Sequence, residues 1–426
     1  MSKKNLNPFR RGDYRWWFLA ETALECSASL GLAITLILVQ VTGSVSAAGL
    51  IGGISSAVAL LATFLGGALG DALPRRRLLL TTGSFSLACN LLLTILLVMG
   101  IAGVTGGAAP WSVIVVALLC VVVEASAAFR DPVLDASLKQ IITPEEFPRA
   151  MSAAQARSST LSMAGAPAAG WLFAVASFVP FAVRSVCDVV SLVLVRAIRA
   201  DIGPRLHEGE EPRQSRRKIA GLTGLWRAIT SFSEGWHHLR SRPELFRLLL
   251  CAPLVNLTVF GTMSWVVYRL TTDGHGSAVV GFASAGFAIG GVVGAALTPV
   301  LTDRFPAGWL VIVGLGFSML VLCAMYAVPR EPWVLMVLAG FSMLLSPALN
   351  GALFGYVFEV TGEALQSRVM ATFALLGGLS TALAPVLASQ AVMRGADAAL
   401  GIGVGALGIA GVVWLASSSQ VRGIGH

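Results

Sequence analysis

The chain has 426 residues, 56% of them hydrophobic and only 12% charged, and its mean hydropathy is +0.79. The charged share is about half that of a soluble domain, which excludes an ordinary soluble fold. The net charge of +8 raises nucleic acid as a partner, but the Lys and Arg residues fall in alternate segments between apolar runs, a membrane pattern that argues against it.

The segment Met1 to Arg15 is basic, and Trp16 and Trp17 follow at an expected membrane interface. Apolar runs of about 20 residues each cross a bilayer once as a helix. The first is expected over 16–41, too long for a signal-peptide core and without a cleavage site, and so retained. Further spans are expected over 47–69, 78–100, 111–129, 153–178 and 180–198, with a polar segment, Arg130 to Arg149, after the fourth. A polar stretch rich in Lys and Arg follows. Within it Leu222, Leu225, Trp226, Ile229, Phe232, Trp236 and Leu239 recur at helical intervals. One apolar stripe on a basic helix suits lying flat on an anionic inner leaflet; a soluble linker helix is the alternative. Six more spans are expected over 246–270, 278–301, 309–328, 333–358, 369–392 and 398–417.

The fold class is therefore an all-α membrane protein of twelve spans with both termini cytoplasmic. The domains expected are residues 1–198, a linker 199–245 and residues 246–426. The expected outer loops carry only Arg269, Arg330 and Arg394, and the alternation fails for an odd number of spans. An internal repeat agrees. Aligning Asp71 with Asp303 brings Pro74 onto Pro306, Leu78 onto Leu310, Phe85 onto Phe317 and Ser86 onto Ser318. Arg149-Ala150-Met151-Ser152 resembles Arg368-Val369-Met370-Ala371, and Ala166-Pro167 matches Ala384-Pro385 at nearly the same distance. Two six-span halves related by duplication are the plan of secondary transporters.

Ionisable groups inside a bilayer are unfavourable, so each is a candidate for function. Glu21 and Glu25 lie one turn apart in span 1, Glu124 in span 4, and Arg157 enters span 5. A carboxylate in a low-dielectric site can load and release a proton near neutral pH. The alternatives are an interfacial acid for Glu21, nearer the inner water, and for Glu124 a structural pair with Arg157 or Arg130. Arg184 and Asp188, one turn apart in span 6, are expected to pair with each other. Asn256 and Asn350, with Phe260, Met263, Trp265 and Phe354, can supply hydrogen bonds and an adaptable apolar wall; an aromatic stripe facing lipid is the alternative. Gly286, Gly290 and Gly294 recur every four residues and permit close helix approach. The six cysteines sit alone in apolar runs without ligand spacing, and the adjacent His237 and His238 point different ways. No phosphate loop, dinucleotide fingerprint or nucleophile motif appears, so no catalysis, ATP drive, metal or cofactor is expected.

The turn between spans 2 and 3, Gly66 to Leu80, resembles the loop between helices 2 and 3 of the major facilitator superfamily. Gly67, Leu69, Asp71, Arg75, Arg76 and Leu79 fall on its pattern; Ala72 and Pro74 depart from it. The stretches Phe9 to Arg15, Gly43 to Leu50, Pro144 to Met151 and Glu363 to Met370 are similar to bacterial exporters of the macrolide-efflux and enterobactin-exporter type. The resemblance implies that Asp71 caps a helix end and pairs with basic residues at an inner gate. It implies that spans 1, 4, 7 and 10 line a central cavity and that the halves rock at span 8. The antiporter motif is matched in part at Pro167 and Gly170. The implied activity is proton-driven efflux of an amphiphilic small molecule from the bacterial inner membrane by a monomer, its partners being substrate, protons and lipid. An importer or lysophospholipid flippase on the same fold, and a non-transporting membrane sensor or assembly factor, remain alternatives.

Overall fold

The computed structural model describes residues 8–100, 110–143, 145–202, 236, 239–240, 242–361 and 363–423. The expected inner-leaflet helix of the linker lies almost entirely outside them. All regular structure among the described residues is helical. Apolar runs in this chain have no water to satisfy their amides, so the backbone closes its hydrogen bonds within each helix.

The helices are α1 (Gly12–Ser29), α2 (Leu32–Thr42), α3 (Val45–Ala72), α4 (Arg75–Val98), α5 (Pro110–Ile141), α6 (Phe147–Val175), α7 (Val179–Ala197), α8 (Pro243–Thr272), α9 (Ser277–Arg304), α10 (Ala307–Met325), α11 (Pro332–Met343), α12 (Ser346–Val360), α13 (Glu363–Met393), α14 (Asp397–Ala416) and the short α15 (Ser419–Arg422). Among the described residues, ten segments are long and apolar enough to cross a membrane, α1 with α2 and α11 with α12 each counting once. The helix α6 falls outside that set because its charge-free stretch 158–175 is diluted by Ser, Thr, Gly and Pro, and α7 because it carries Arg184, Asp188 and Arg196.

Two of the expected spans are broken. Span 1 divides at Leu30–Gly31, where Gly31 N–H donates to the Ala28 carbonyl and Ile34 N–H to that of Gly31, three-residue steps that tighten the turn. Span 10 divides at Leu344–Leu345. Conversely, the expected polar segment after Phe129 is helix. The helix α5 runs on through Pro132 to Ile141, because Val133, Leu134, Leu138 and Ile141 form a buried stripe that packs on Tyr14, Trp17 and Leu24 of α1. The Trp17 indole N–H donates to the Leu134 carbonyl at 2.9 Å and fixes that contact.

The chain divides into two compact units, one of residues Met1–Gly43 with Ile54–Trp226, the other of Ser44–Gly53 with Arg227–His426. In the first, α4 and α7 pack side by side, as do α1 and α7. The helix α7 is amphipathic in reverse: Arg184 is 0% exposed and Asp188 is buried, whereas Val186 is 63% exposed and Val189, Val190 and Val193 are exposed beside it. Such a helix suits surroundings that are apolar outside and ion-paired within. In the second unit, α8 packs along α13, α9 along α11, and α10 along α14. The first turns of α3 belong to this unit, with Gln390 donating to the Ser46 hydroxyl at 2.5 Å.

The glycines of α9 meet α11 and the turn after it, all in the second unit. A Cβ on Gly286, Gly290 or Gly294 would overlap the carbonyl oxygen of Met336, Gly340 or Leu344. The expected stripe is a packing seam inside one unit.

Candidate functional site

Glu21 and Glu25 project from one face of α1 because they are four residues apart. Arg157, two and a half turns into α6, meets both. Its Nε donates to Glu25 Oε2 at 2.7 Å, Nη1 to Glu21 Oε2 at 3.0 Å, and Nη2 lies 3.0 Å from Glu21 Oε1. The guanidinium sits 5.0 Å from the centre of the Phe18 ring. The fork geometry of arginine is what allows one cation to hold two carboxylates at once. Glu21 was expected nearer water than Glu25; the order is reversed. Glu21 is buried and the Glu25 side chain is 25% exposed, because the continuation of α5 covers the earlier turn of α1.

That continuation adds two acids that sequence reading placed in a loop. Asp131 and Asp135 lie one turn apart on α5, close enough to Glu25 and Arg157 to interact with them electrostatically. Their four-residue spacing, in phase with the buried stripe of Val133, Leu134 and Leu138, was the signal available.

Glu124 stands apart from this cluster. It pairs with Arg184 at 3.3 Å, neither with Arg157 nor with Arg130. Arg130 instead pairs with Asp188 at 2.8 Å, and Asp188 also accepts from Ser86 and Asn90, each at 2.9 Å. The expected Arg184–Asp188 pair is replaced by these two cross-helix pairs: the i, i+4 spacing put both residues on one face, but α5 offers each a partner of opposite charge.

At the turn between α3 and α4, Arg75 is buried and donates to the carbonyls of Gly70 at 2.8 Å and Ala136 at 3.1 Å. Arg76 donates to the carbonyls of Ile198 and Ala200. The carbonyls of Gly70 and Ile198 lie at helix ends, where the intrahelical partner is missing, and the arginines satisfy them. The Asp71 side chain lies outside the described residues. Gly67 has open space around it, and the close approach belongs to Gly66, where a Cβ would overlap the Phe129 carbonyl. In α6, Pro167 and Gly170 lie within the helix. The tight contact there is one turn earlier, with Gly165 against Ser29 at the end of α1.

The second unit holds a cavity of about 310 Å³ lined by Asn256, Asn350, Phe354, Phe373 and Thr381 among apolar neighbours, with no charged residue on its wall among the described residues. Gly377 lacks the Cβ that would press on the Asn256 amide. Phe260 does not line it and is exposed, as a lipid-facing aromatic would be. Trp265 is buried elsewhere, donating to Asp397 at 2.8 Å. No group of three or more His, Cys, Asp and Glu side chains fit to hold a metal occurs among the described residues.

The sequence profile described as Major Facilitator Superfamily matches residues 22–385. A relative in Bacillus subtilis (strain 168), the uncharacterized MFS-type transporter YceJ, is 26% identical over 259 residues, which cover 60% of this chain and 59% of that protein. Among solved structures, a bacterial homologue of the iron transporter ferroportin in the inward-facing state has a TM-score of 0.69 at 15% identity, covering 95% of this chain and 98% of that one. The nucleoside transporter NupG gives 0.66 at 12% identity, over 95% and 99%. A peptide transporter, POT, gives 0.62 at 16% identity, over 97% and 95%.

Proposed function

Since the chain belongs to the Major Facilitator Superfamily, and is thus a transporter and no enzyme, we propose that it is a proton-coupled exporter of an amphiphilic small molecule, working by alternating access. It lies in a bacterial inner membrane as a monomer, with twelve spans, both termini cytoplasmic, and two six-helix halves at 1–198 and 246–426 joined by the linker 199–245. The helices α6 and α7 are spans five and six in this reading.

The observation that carries the proposal is Arg157 of α6 held between Glu21 and Glu25 of α1, a helix apolar enough to span. A guanidinium that binds two acids can release one when that acid takes up a proton, which ties ion pairing to proton loading. Glu124 with Arg184 is the second candidate pair. The substrate would rest partly against the uncharged wall of the cavity bearing Asn256, Asn350 and Phe354, and the turn with Gly67, Asp71, Arg75 and Arg76 would act as the inner gate. The structural neighbours carry nucleosides, peptides and iron by their descriptions, at identities that fix the fold alone.

The test is accumulation of ethidium in everted vesicles under an imposed pH gradient, acid inside. Glu21→Gln and Glu25→Gln are expected to lose gradient-driven accumulation while keeping downhill exchange, because the amides keep size and remove titration. If only Glu124→Gln is disabled, the coupling site belongs to Arg184 and this assignment fails. Gradient-driven movement of the probe out of everted vesicles, the opposite direction, would favour an importer.

A further inference from the structure

Among the described residues, the amide and hydroxyl side chains on the wall of the second unit's cavity are Asn256 on α8, Asn350 on α12 and Thr381 on α13. Two of them are engaged inside their own helices. Thr381 Oγ1 donates to the Gly377 carbonyl at 3.0 Å, and Asn350 Nδ2 donates to Ser346 Oγ at 3.4 Å. The Asn256 amide makes no hydrogen bond among the described residues. It keeps two N–H donors and a carbonyl acceptor for a ligand.

Gly377 places that amide. The helix α8 packs along α13, and a Cβ on Gly377 would stand 2.5 Å from Asn256 Nδ2. The amide therefore lies against bare backbone, and any side chain at 377 would push it off the position it holds. Phe354 and Phe373 form an apolar corner of the same wall, edge to face with ring centroids 6.1 Å apart.

The wall selects by what it leaves unpaired. A charged group seated there would lose its water and gain no counter-ion. A hydroxyl or an ester pairs well with one end of the Asn256 amide and leaves the other buried without a partner. A primary carboxamide or a lactam carries its N–H and C=O on one edge and meets both ends at once. We propose that this cavity binds an uncharged molecule through a primary carboxamide or lactam paired with Asn256, its hydrocarbon part against Phe354 and Phe373, and that Gly377 is the residue that sets this specificity by positioning Asn256. The inference deepens the exporter reading by naming the chemical group that enters the second unit, and it rests on that reading only for calling the ligand cargo.

The experiment measures binding of tritiated biphenylcarboxamide and tritiated biphenyl to the purified full-length protein in lipid nanodiscs, corrected against empty nanodiscs. The wild type is expected to hold the carboxamide about tenfold tighter or more, since a site built to hydrogen-bond a group rejects the analogue that lacks it. Biphenylcarboxylate should compete poorly. Asn256→Leu and Gly377→Ala should each bring the two affinities together, and their retained biphenyl binding separates the effect from misfolding. Gly351→Ala, where nothing lies within 4 Å of the added Cβ, should keep the preference. Should Asn256→Leu lose both ligands, Gly377→Ala, which keeps Asn256 itself, decides the case. A wild type that binds neither ligand or both alike, a carboxylate that binds as well as the carboxamide, a preference that survives either substitution, or loss of both ligands in both variants overturns the proposal. If the preference behaves as expected while wild-type vesicles show no gradient-driven accumulation of ethidium, the carboxamide site stands and the exporter reading falls. Accumulation of ethidium without the preference does the reverse.

Discussion

Arg130 and Asp188 are both almost fully buried, and their pairing is completed by Ser86 and Asn90. Removing one member of such a pair leaves the other charge without compensation, at a cost of about 3–5 kcal/mol. Asp188→Asn should therefore unfold in detergent at a markedly lower temperature. Arg130→Met combined with Asp188→Leu should recover most of the loss, since an apolar replacement leaves no orphaned charge. Equal melting of Asp188→Asn and wild type would remove the pair from any account of stability. Outside the spans, Glu146 sits at the start of α6. Burial alone would raise its pKa, but the Thr143 N–H and the Arg11 guanidinium, each at 3.0 Å, outweigh it and hold the carboxyl below its ordinary value. A depressed folded-state pKa stabilises above the unfolded value of about 4.3, and that stability is lost as pH falls through the folded value. Melting temperature should drop in that acid window, and Arg11→Gln should flatten the drop. At this scale the residue types were legible and the partners were not. Arg184 and Asp188 were visible as buried charges, but which acid or base faced each depended on α5.

Between helices, the contact of α9 with α11 gives a sharp comparison. A Cβ on Gly290 would overlap the Gly340 carbonyl, a backbone atom that cannot swing aside, whereas nothing lies within 4 Å of a Cβ on Gly291. Gly290→Ala should cost about 1–3 kcal/mol or more by overpacking. Gly291→Ala should be neutral or stabilise by roughly 0.4–1 kcal/mol through the unfolded chain. Thermal unfolding of the two variants in detergent checks this, and similar melting for both would dismiss the seam. The four-residue glycine spacing announced close packing, and the tertiary structure supplied the partner. The length of α5 was missed for a related reason. Arg130, Asp131 and Asp135 read as loop because their charges, taken one at a time, do not belong in a span. That Asp188 of α7 pairs with Arg130, and that Arg157 of α6 stands near Asp131 and Asp135, are long-range facts.

For the whole molecule, the proposed twelve spans rest on the alternation of basic segments and on the repeat that aligns Asp71 with Asp303. Ten segments qualify on length and apolarity alone. To complete the twelve, α6 must span with a stretch, 158–175, that small and polar residues make less apolar than the rest, and α7 with its Arg184 and Asp188 internally paired. A reporter fused after Arg217 should read cytoplasmic and one fused at Gly106 should read external, since an even number of spans separates the basic N-terminus from Arg217 and an odd number separates it from Gly106. A cytoplasmic signal at Gly106 would discard the twelve-span arrangement.

The sequence by itself determined the solvent, the helical class and the family. Long apolar runs leave helices as the way to satisfy buried backbone amides. It also singled out Glu21, Glu25 and Arg157 as charges that an apolar span does not carry without a reason. Tertiary structure decided which charges meet. One arginine joins α1 to α6 at two acids, Asp131 and Asp135 join them because α5 stays helical past Phe129, and Glu124 is drawn off to Arg184. Helical spacing fixes only the face on which a side chain stands. The opposing face comes from another helix, 60 residues away in the chain for Glu124 and Arg184 and 136 for Glu21 and Arg157, and its identity follows from how apolar stripes such as Val133, Leu134 and Leu138 find burial.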